Sequence, residues 1–321
     1  MFERFFRLGF LQVEVSTKCQ LSCVMCPKSF FEWESKNMDF ELFKKLPFSS
    51  FRYAHLQGWG EPLLNPEIGE MINFACKKCK VGLTTNGLLI NEWIEDLAKL
   101  DLIAISIAGI EAQGKIRGAK LQKIAENITL LTARKKRPRI VIATLMMKRA
   151  VEELPQLVQF ASSVGADEVV ANNLDYIPSK ELMGEEVFSE VVDSSVAQKI
   201  RIAEMKAKEV GIGFTPRPIK LEEALICAEN PLKNCFITVD GLIAPCAYLH
   251  LPTKSDEIIR FFKGKEVKIG KLYFGRAENF KEVWRSKEYS EFRKIYEKRL
   301  SECFIPDLPE VCRTCYKAYS V

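Results

Sequence analysis

Short runs of β-forming residues alternate with longer amphipathic stretches along the first 175 residues. Alternation with a period of two predicts strands, and apolar residues spaced three or four apart predict helices. The predicted strands span residues 11–16, 53–57, 81–86, 102–107, 139–147 and 167–173. The predicted helices span residues 39–46, 65–78, 91–100, 118–136 and 151–165. Strands joined by helices pair in parallel through right-handed connections, so the pattern predicts an α/β fold.

Six such units predict a partial (β/α)6 TIM-like barrel, open and incomplete, over residues 1–180. In barrels of this kind the functional residues gather at the carboxyl ends of the strands. A helix over 181–211 and a strand within 211–220 form a predicted link, residues 181–226.

The pattern after residue 226 predicts a small C-terminal α+β, cysteine-rich iron–sulfur domain, residues 227–321. Asp240 and Gly241 stand between β-forming residues, which is a strong hairpin signal. An amphipathic helix of about six turns is predicted over 279–300.

The composition of the chain indicates its cellular location and its classes of partner. The net charge of +5 arises from 47 basic and 42 acidic residues mixed along the chain, which indicates a solvated surface more than a nucleic-acid groove. No apolar run approaches the roughly 20 residues of a membrane helix, and the start of the chain lacks the features of a signal peptide. We therefore expect a cytoplasmic protein with neither membrane nor nucleic acid as a partner.

Eleven cysteines are too many for incidental use in such a protein, and their odd number excludes a complete disulfide framework. Metal or cluster ligation is the leading alternative. Cys76 and Cys79 end a predicted helix at the far side of the barrel, and we expect them to be structural thiols.

Cys19, Cys23 and Cys26 form a C-x3-C-x2-C array directly after the first strand. A 4Fe–4S cluster has four irons that each need an outer ligand, so three thiolates would leave one iron open. Structural zinc needs four ligands, and neither His55 nor His250 has the spacing to complete a set with this loop. The array favours an open cluster, with three incidental cysteines as the alternative.

With GWGEP (residues 58–62), TTNG (84–87) and SIAG…IRG further on, this array resembles the radical S-adenosylmethionine (SAM) superfamily over roughly residues 10–175. The resemblance implies that the open iron is chelated by SAM. One electron from the cluster then cleaves SAM, and the resulting 5'-deoxyadenosyl radical takes hydrogen from a substrate. The protein contributes orientation and exclusion of water.

The resemblance also implies site residues. Cys19, Cys23 and Cys26 would hold the cluster, and the backbone of residues 58–60 with Glu61 would hold the methionine amine. Trp59 departs from the family's glycine. The full set of implied SAM-binding residues is Gly58, Trp59, Gly60, Glu61, Asn86, Ser106, Arg117, Thr144 and Asn172. Several could instead serve the fold: Arg117 as a solvated helix-start residue, and Asn86, Thr144 and Asn172 as loop caps.

The C-terminal module resembles the SPASM/Twitch extension, through G-x4-C at Gly241, the FKEVWRSKEY helix and the terminal C-x2-C. The resemblance implies one auxiliary 4Fe–4S cluster held by Cys227, Cys246, Cys312 and Cys315, with Cys235 a competitor for a place and the role of Cys303 open. A zinc ribbon is the alternative, because four thiolates also satisfy zinc.

The resemblance extends to maturases that act on tungsten or pterin cofactors of aldehyde oxidoreductases. It implies hydrogen abstraction from a peptide, a cofactor precursor or a small molecule, with reduced ferredoxin or flavodoxin as the electron donor. The alternatives are a dehydrogenase of a small-molecule alcohol and a non-catalytic zinc or iron–sulfur binding module. The missing fourth ligand in the C-x3-C-x2-C loop separates an enzyme from a binding module, because a binding module would have that position filled.

Overall fold

The computed structural model describes residues 7–301 and 306–321. Its strands are β1 Leu8–Val13, β2 Phe51–Leu56, β3 Lys80–Thr85, β4 Leu102–Ser106, β5 Arg139–Met146, β6 Glu168–Asn173, β7 Gly213–Pro216, β8 Cys235–Ile237, β9 Leu242–Ala244, β10 Glu257–Phe262, β11 Lys265–Gly270 and β12 Gly275–Arg276. Its α-helices are α1 Phe40–Lys44, α2 Ile68–Ala75, α3 Ile94–Leu97, α4 Ala112–Arg117, α5 Leu121–Thr132, α6 Leu154–Ser163, α7 Ser194–Val210, α8 Phe280–Arg285 and α9 Lys287–Ser301.

The first six strands pair in parallel in chain order, which confirms the predicted partial barrel of the α/β class. Their side chains form a dry core with one face of the crossover helices; Ile124, Ile128 and Leu131 of α5, for example, are fully buried. Parallel pairing places the carboxyl ends of β1–β6 along one edge, where the predicted motifs follow them.

The sheet continues beyond the predicted barrel at both edges. β7, expected within the link, pairs in parallel with β6, and β8 of the cysteine-rich module pairs in parallel with β1. β9 and β12 then extend the same sheet in antiparallel fashion, to ten strands within the described residues. The module is thus joined to the barrel by backbone hydrogen bonds, and the boundaries at residues 180 and 226 stay predictions.

The hairpin signal at Asp240 and Gly241 is confirmed, because β8 and β9 pair as neighbours around this turn. Gly241 adopts a positive φ of 79°, which a residue with a Cβ tolerates poorly. The turn leads β9 directly to Cys246.

Three helix predictions were wrong in extent, and the one over 91–100 forms an α-helix only at Ile94–Leu97. The helical pattern over 181–211 forms a regular helix only from Ser194, where the Asp193 side chain accepts a hydrogen bond from the Ser195 backbone N–H and caps α7. The predicted helix over 279–300 divides into α8 and α9, because Ser286 leaves the helical region (ψ 154°). Within the residues described, no helix combines the length and apolar character that crossing a membrane requires.

Candidate active site

The loop after β1 carries three thiols and is held firmly in place by its neighbours. The Lys28 ammonium donates hydrogen bonds to the backbone carbonyls of Cys19 (2.6 Å) and Leu21 (3.1 Å), and the Ser29 hydroxyl donates to the Cys23 carbonyl (2.9 Å). Burial raises the pKa of the Cys26 thiol to about 11. A neutral thiol in this position becomes a thiolate when a cationic iron binds it.

A cavity of about 280 Å³ opens at the carboxyl ends of the strands, as predicted, and the three thiols line it. Seven of the predicted SAM-binding residues also line it: Gly58, Trp59, Gly60, Glu61, Asn86, Ser106 and Arg117. Thr144 and Asn172 line an adjoining cavity of about 400 Å³ that shares Ser106 and Arg117 with the first. The sequence-predicted residues are therefore gathered at one place, around two adjoining cavities.

The GWGEP loop approaches the cysteine loop so closely that a side chain would not fit at Gly60. A Cβ there would lie 2.5 Å from the Ser16 carbonyl oxygen and 2.6 Å from the Thr17 carbonyl carbon. Both are main-chain atoms, so no rotation of a side chain could relieve the clash. The glycine at this position is required by the contact between the two loops.

Glu61 ties the GWGEP loop to the end of β3. Its fully buried carboxylate accepts hydrogen bonds from the Asn86 backbone N–H (2.7 Å), the Thr85 hydroxyl (2.8 Å) and the Leu63 backbone N–H (3.1 Å). Burial raises the pKa of Glu61 to about 7, with these bonds opposing the shift. The carboxylate thus has a structural task, and its predicted contact with an amine stays a prediction.

Trp59, which departs from the family pattern, joins the barrel to the cysteine-rich module. Its indole N–H donates to the backbone carbonyls of His250 (2.8 Å) and Ala247 (3.2 Å). Its ring packs against Tyr176 and Tyr248, at centroid distances of 5.4 and 6.1 Å. The tryptophan therefore fixes the module's loop against the cavity.

Sequence reasoning missed Glu14, which anchors the same junction. It is 0% exposed, and its carboxylate accepts hydrogen bonds from the backbone N–H groups of Trp59 (2.9 Å) and Val239 (3.3 Å). The His250 imidazole lies 3.1 Å from it, through Nε2. An acidic residue at the end of an otherwise apolar strand was the signal that could have revealed it.

Arg117 is the clearest indication that an anion belongs in the cavity. The Nε of its guanidinium is buried and has no hydrogen-bond partner in the part of the chain that the structure describes. A buried donor of this kind is costly unless a ligand accepts from it, and a carboxylate suits a guanidinium. The carboxylate of SAM fits this requirement. Asn86, by contrast, accepts from the Leu88 backbone N–H (3.1 Å), as a loop cap does.

Four of the five thiols predicted for the second site lie around one cavity: Cys227, Cys246, Cys312 and Cys315. Cys235 is the exception, because it belongs to β8 and pairs with Leu11 of β1 within the sheet. Its thiol is buried there and lies outside the set that lines the cavity. Cys303 lies outside the described residues.

The arrangement of these thiols suits a cluster. No group of three or more His, Cys, Asp or Glu side chains within residues 7–301 and 306–321 is arranged to hold a metal ion. A cluster makes a different demand, since each thiolate binds a separate iron at its own corner and the donors surround a space. Four thiols around one cavity, and three around another, meet that demand.

A buried ion pair lies between the cavity lined by Cys19, Cys23 and Cys26 and the cavity lined by the four thiols of the C-terminal module. The Lys317 ammonium, beside the four thiols, lies 2.6 Å from the Asp175 carboxylate, which faces the three-thiol cavity. The Tyr248 hydroxyl donates to Asp175 (2.8 Å), and Tyr248 lines both cavities. The wall between the two cavities is thus narrow and polar, a feature that the sequence alone did not indicate.

Comparisons with known proteins agree with this geometry. The radical SAM superfamily model matches residues 13–161, and the SPASM model, an iron-sulfur cluster-binding domain, matches residues 227–316. The tungsten-containing aldehyde ferredoxin oxidoreductase cofactor-modifying protein of Pyrococcus furiosus is 28% identical, over 96% of this chain and 90% of its own length.

Solved structures show the same fold. Streptococcus suis SuiB bound to S-adenosylmethionine superposes with a TM-score of 0.65 at 18% identity, over 90% of this chain and 68% of that one. For anSMEcpe with bound AdoMet the TM-score is 0.64 at 16% identity, over 96% and 88%. The chain therefore carries a radical SAM domain over residues 13–161 and a C-terminal SPASM domain over residues 227–316.

Proposed function

We propose that this protein is a radical SAM oxidoreductase or maturase that abstracts hydrogen from a cofactor precursor. The observation that carries the proposal is the donor set of the main cavity. Cys19, Cys23 and Cys26 line it, no fourth cysteine is among its described lining residues, and Arg117 presents a buried, unpaired donor to the same space.

The family brings a SAM-binding 4Fe–4S cluster, SAM itself and auxiliary iron–sulfur to the chain. When bound, the cluster and SAM supply abstraction of a hydrogen atom from an unactivated carbon. The chain's own residues orient and enclose this chemistry. Lys28 and Ser29 hold the thiol loop, Arg117 binds the SAM carboxylate, and Trp59 closes the junction against water.

A cofactor precursor is supported as the substrate class by the cavity wall and by the Pyrococcus relative, whose name describes a cofactor-modifying protein. Trp59, Tyr176 and Tyr248 form an aromatic wall, and their polar atoms already donate hydrogen bonds within the protein, to His250, Ile259 and Asp175. Aromatic rings that line a cavity suit a planar organic molecule. Peptides and non-planar small molecules are the competing substrates.

The proposal includes a second cluster, an electron donor and a cellular location. We assign Cys227, Cys246, Cys312 and Cys315 to one auxiliary cluster, and reduced ferredoxin or flavodoxin to the supply of electrons. The ten cysteines of the described residues form no disulfide with one another, which fits a protein that acts in the reducing cytoplasm.

The test begins with anaerobic reconstitution, followed by counting of iron and sulfide and detection of 5'-deoxyadenosine after addition of SAM and dithionite. We expect about eight irons, four for each cubane, and a nucleoside product. Two zinc ions and no product would show a binding module instead.

The substrate class is tested with fractions of an anaerobic extract from cells grown in deuterated medium. Transfer of deuterium into 5'-deoxyadenosine from the low-molecular-mass fraction would support a precursor. Transfer from the protein and peptide fraction alone would contradict it, and the Cys23→Ala variant controls for background.

Dehydrogenation of a small-molecule alcohol is the second candidate, and Asp175 is the observation that favours it. Its carboxylate lines the cavity within a hydrogen-bonded pair and can accept the hydroxyl proton of a substrate whose carbon-bound hydrogen atom goes to the nucleoside radical. The remaining electron would pass to the auxiliary cluster proposed for the four-thiol site. Detection of a carbonyl product two hydrogens lighter than its precursor would distinguish this reaction.

A further inference from the structure

Arg260 is a buried arginine without a carboxylate partner. The residue is 4% exposed, and no Asp or Glu in the described part of the chain forms an ion pair with it. Its Nη2 donates to the Val311 carbonyl (2.7 Å) and to the Thr314 hydroxyl (2.9 Å), which flank Cys312. Its Nε and Nη1 are buried, and neither has a hydrogen-bond partner among the residues that the structure describes.

This guanidinium lines the same cavity as the four thiols of the C-terminal module. Two hydrogen bonds hold it against the segment that carries Cys312 and Cys315, and its free N–H groups remain for whatever occupies the cavity. Burial of a cation is unfavourable unless an anion compensates it. The occupant that would satisfy Arg260 is therefore anionic and accepts hydrogen bonds.

The neighbouring cation differs in this respect. Lys317 lines the same cavity, but Asp175 lies 2.6 Å from its ammonium and cancels its charge. Glu229 also lines the cavity, and the second cation there, Arg260, is the one that no carboxylate of the described residues contacts in an ion pair. A centre made of iron, sulfide and four thiolates is negatively charged, and its sulfur atoms accept hydrogen bonds.

We propose that Arg260 is the charge partner of the auxiliary iron–sulfur centre and raises its reduction potential, an inference that rests on the assignment of that centre to Cys227, Cys246, Cys312 and Cys315. Reduction adds an electron to an already negative centre. A fixed cation beside it stabilises the reduced state more than the oxidised state, which makes the centre a better electron acceptor. Arg260 is a positioning and tuning residue, since it touches no reacting atom of the substrate.

The test isolates the auxiliary centre by replacing Cys19, Cys23 and Cys26 with alanine. The midpoint potential is then measured by redox titration followed by electron paramagnetic resonance. We expect Arg260→Gln to retain about four irons and to shift the potential to more negative values. A tenfold loss in the equilibrium constant for reduction corresponds to about 59 mV for a one-electron couple. Arg260→Lys should restore most of the shift.

Arg299 provides a matched control. It is also a buried arginine, 2% exposed, but it pairs with Glu223 and backbone carbonyls and does not line the thiol cavity. Arg299→Gln should leave the potential unchanged. An unchanged potential in Arg260→Gln, or an equal shift in both variants, would overturn the inference.

A second measurement separates charge pairing from a structural role if Arg260→Gln binds iron poorly. In the iron-free protein the guanidinium lacks its anion, so Arg260→Met should be at least as stable to urea as the unmodified chain. In the iron-loaded protein the same change should be destabilising. Equal destabilisation in both states would contradict the inference. If the triple-cysteine background binds no iron at all, the assignment of the auxiliary centre itself fails.

Discussion

Replacement of Gly60 by alanine tests whether the GWGEP loop and the cysteine loop must touch. The added Cβ would lie 2.5 Å from the Ser16 carbonyl oxygen, which is about 0.9 Å short of ordinary contact. Its two next neighbours, the Thr17 carbonyl carbon and the Lys18 carbonyl oxygen, are also main-chain atoms. One of the two loops must therefore move.

The magnitude follows from the cost of overpacking, about 1–3 kcal/mol. We expect the GWGEP loop to move, because a loop yields more readily than the sheet. Since this loop lines the cavity, most of the cost should appear as weaker SAM binding. At 1.4 kcal/mol for each factor of ten, the Kd for SAM should rise by about 5- to 150-fold. The assay is equilibrium dialysis of labelled SAM against the reconstituted protein, with iron content measured in parallel.

Gly114 is the matched control, since a Cβ there meets nothing within 4 Å. It lies inside α4, where alanine should stabilise the helix by about 0.5–1 kcal/mol. SAM binding by Gly60→Ala that equals that of Gly114→Ala, at equal iron content, would refute the predicted contact between the loops.

Three further predictions follow from individual side chains. Cys23→Ala should lose about half of the iron, four of eight atoms, and all production of 5'-deoxyadenosine; retention of normal product yield would show that the loop does not hold the cluster. Arg117→Met should weaken SAM binding by about 10- to 150-fold, the equivalent of a charged hydrogen bond of about 1.5–3 kcal/mol, in the same dialysis assay. Unchanged affinity would remove Arg117 from the SAM site. Burial lowers the pKa of His55 from 6.5 to about 4, so the folded state excludes a proton that the unfolded state binds. Stability from this source is complete above pH 6.5 and is lost as the pH falls toward 4, by about 3 kcal/mol, and His55→Gln should flatten this loss in urea unfolding. An equally steep loss in the variant would contradict the assignment.

The sequence predicted the barrel well because its strands are short apolar runs marked by β-branched residues and separated by amphipathic helices. Each of the six predicted strands overlaps an observed one, and the loops that follow them converge as parallel pairing requires. Asp39 caps α1, because its side chain accepts hydrogen bonds from the Glu41 and Leu42 backbone N–H groups. These features depend on local sequence and on general rules of chain connection.

Features that depend on distant partners were missed. Cys235 appeared equivalent to its neighbours in sequence, but pairing of β8 with β1 places it in the sheet. Glu14 and Asp175 acquire their roles from His250 and Lys317, more than 140 residues away in each case. No periodicity in a single sequence encodes such a pairing. The predicted helix over 181–211 was too long, because the helical spacing of apolar residues begins near residue 181 but the α-helix begins only at Ser194.

The central claim is that Cys19, Cys23 and Cys26 hold a cluster whose fourth iron is open to SAM. The most direct measurement is electron paramagnetic resonance of the reduced cluster, with and without SAM labelled with nitrogen-15 at its amine. It should be made in a variant lacking Cys227 and Cys315, so that the first site alone is observed. We expect SAM to change the spectrum and the labelled nitrogen to couple to the cluster. A spectrum that SAM leaves unaltered, or a site filled by zinc, would contradict the account.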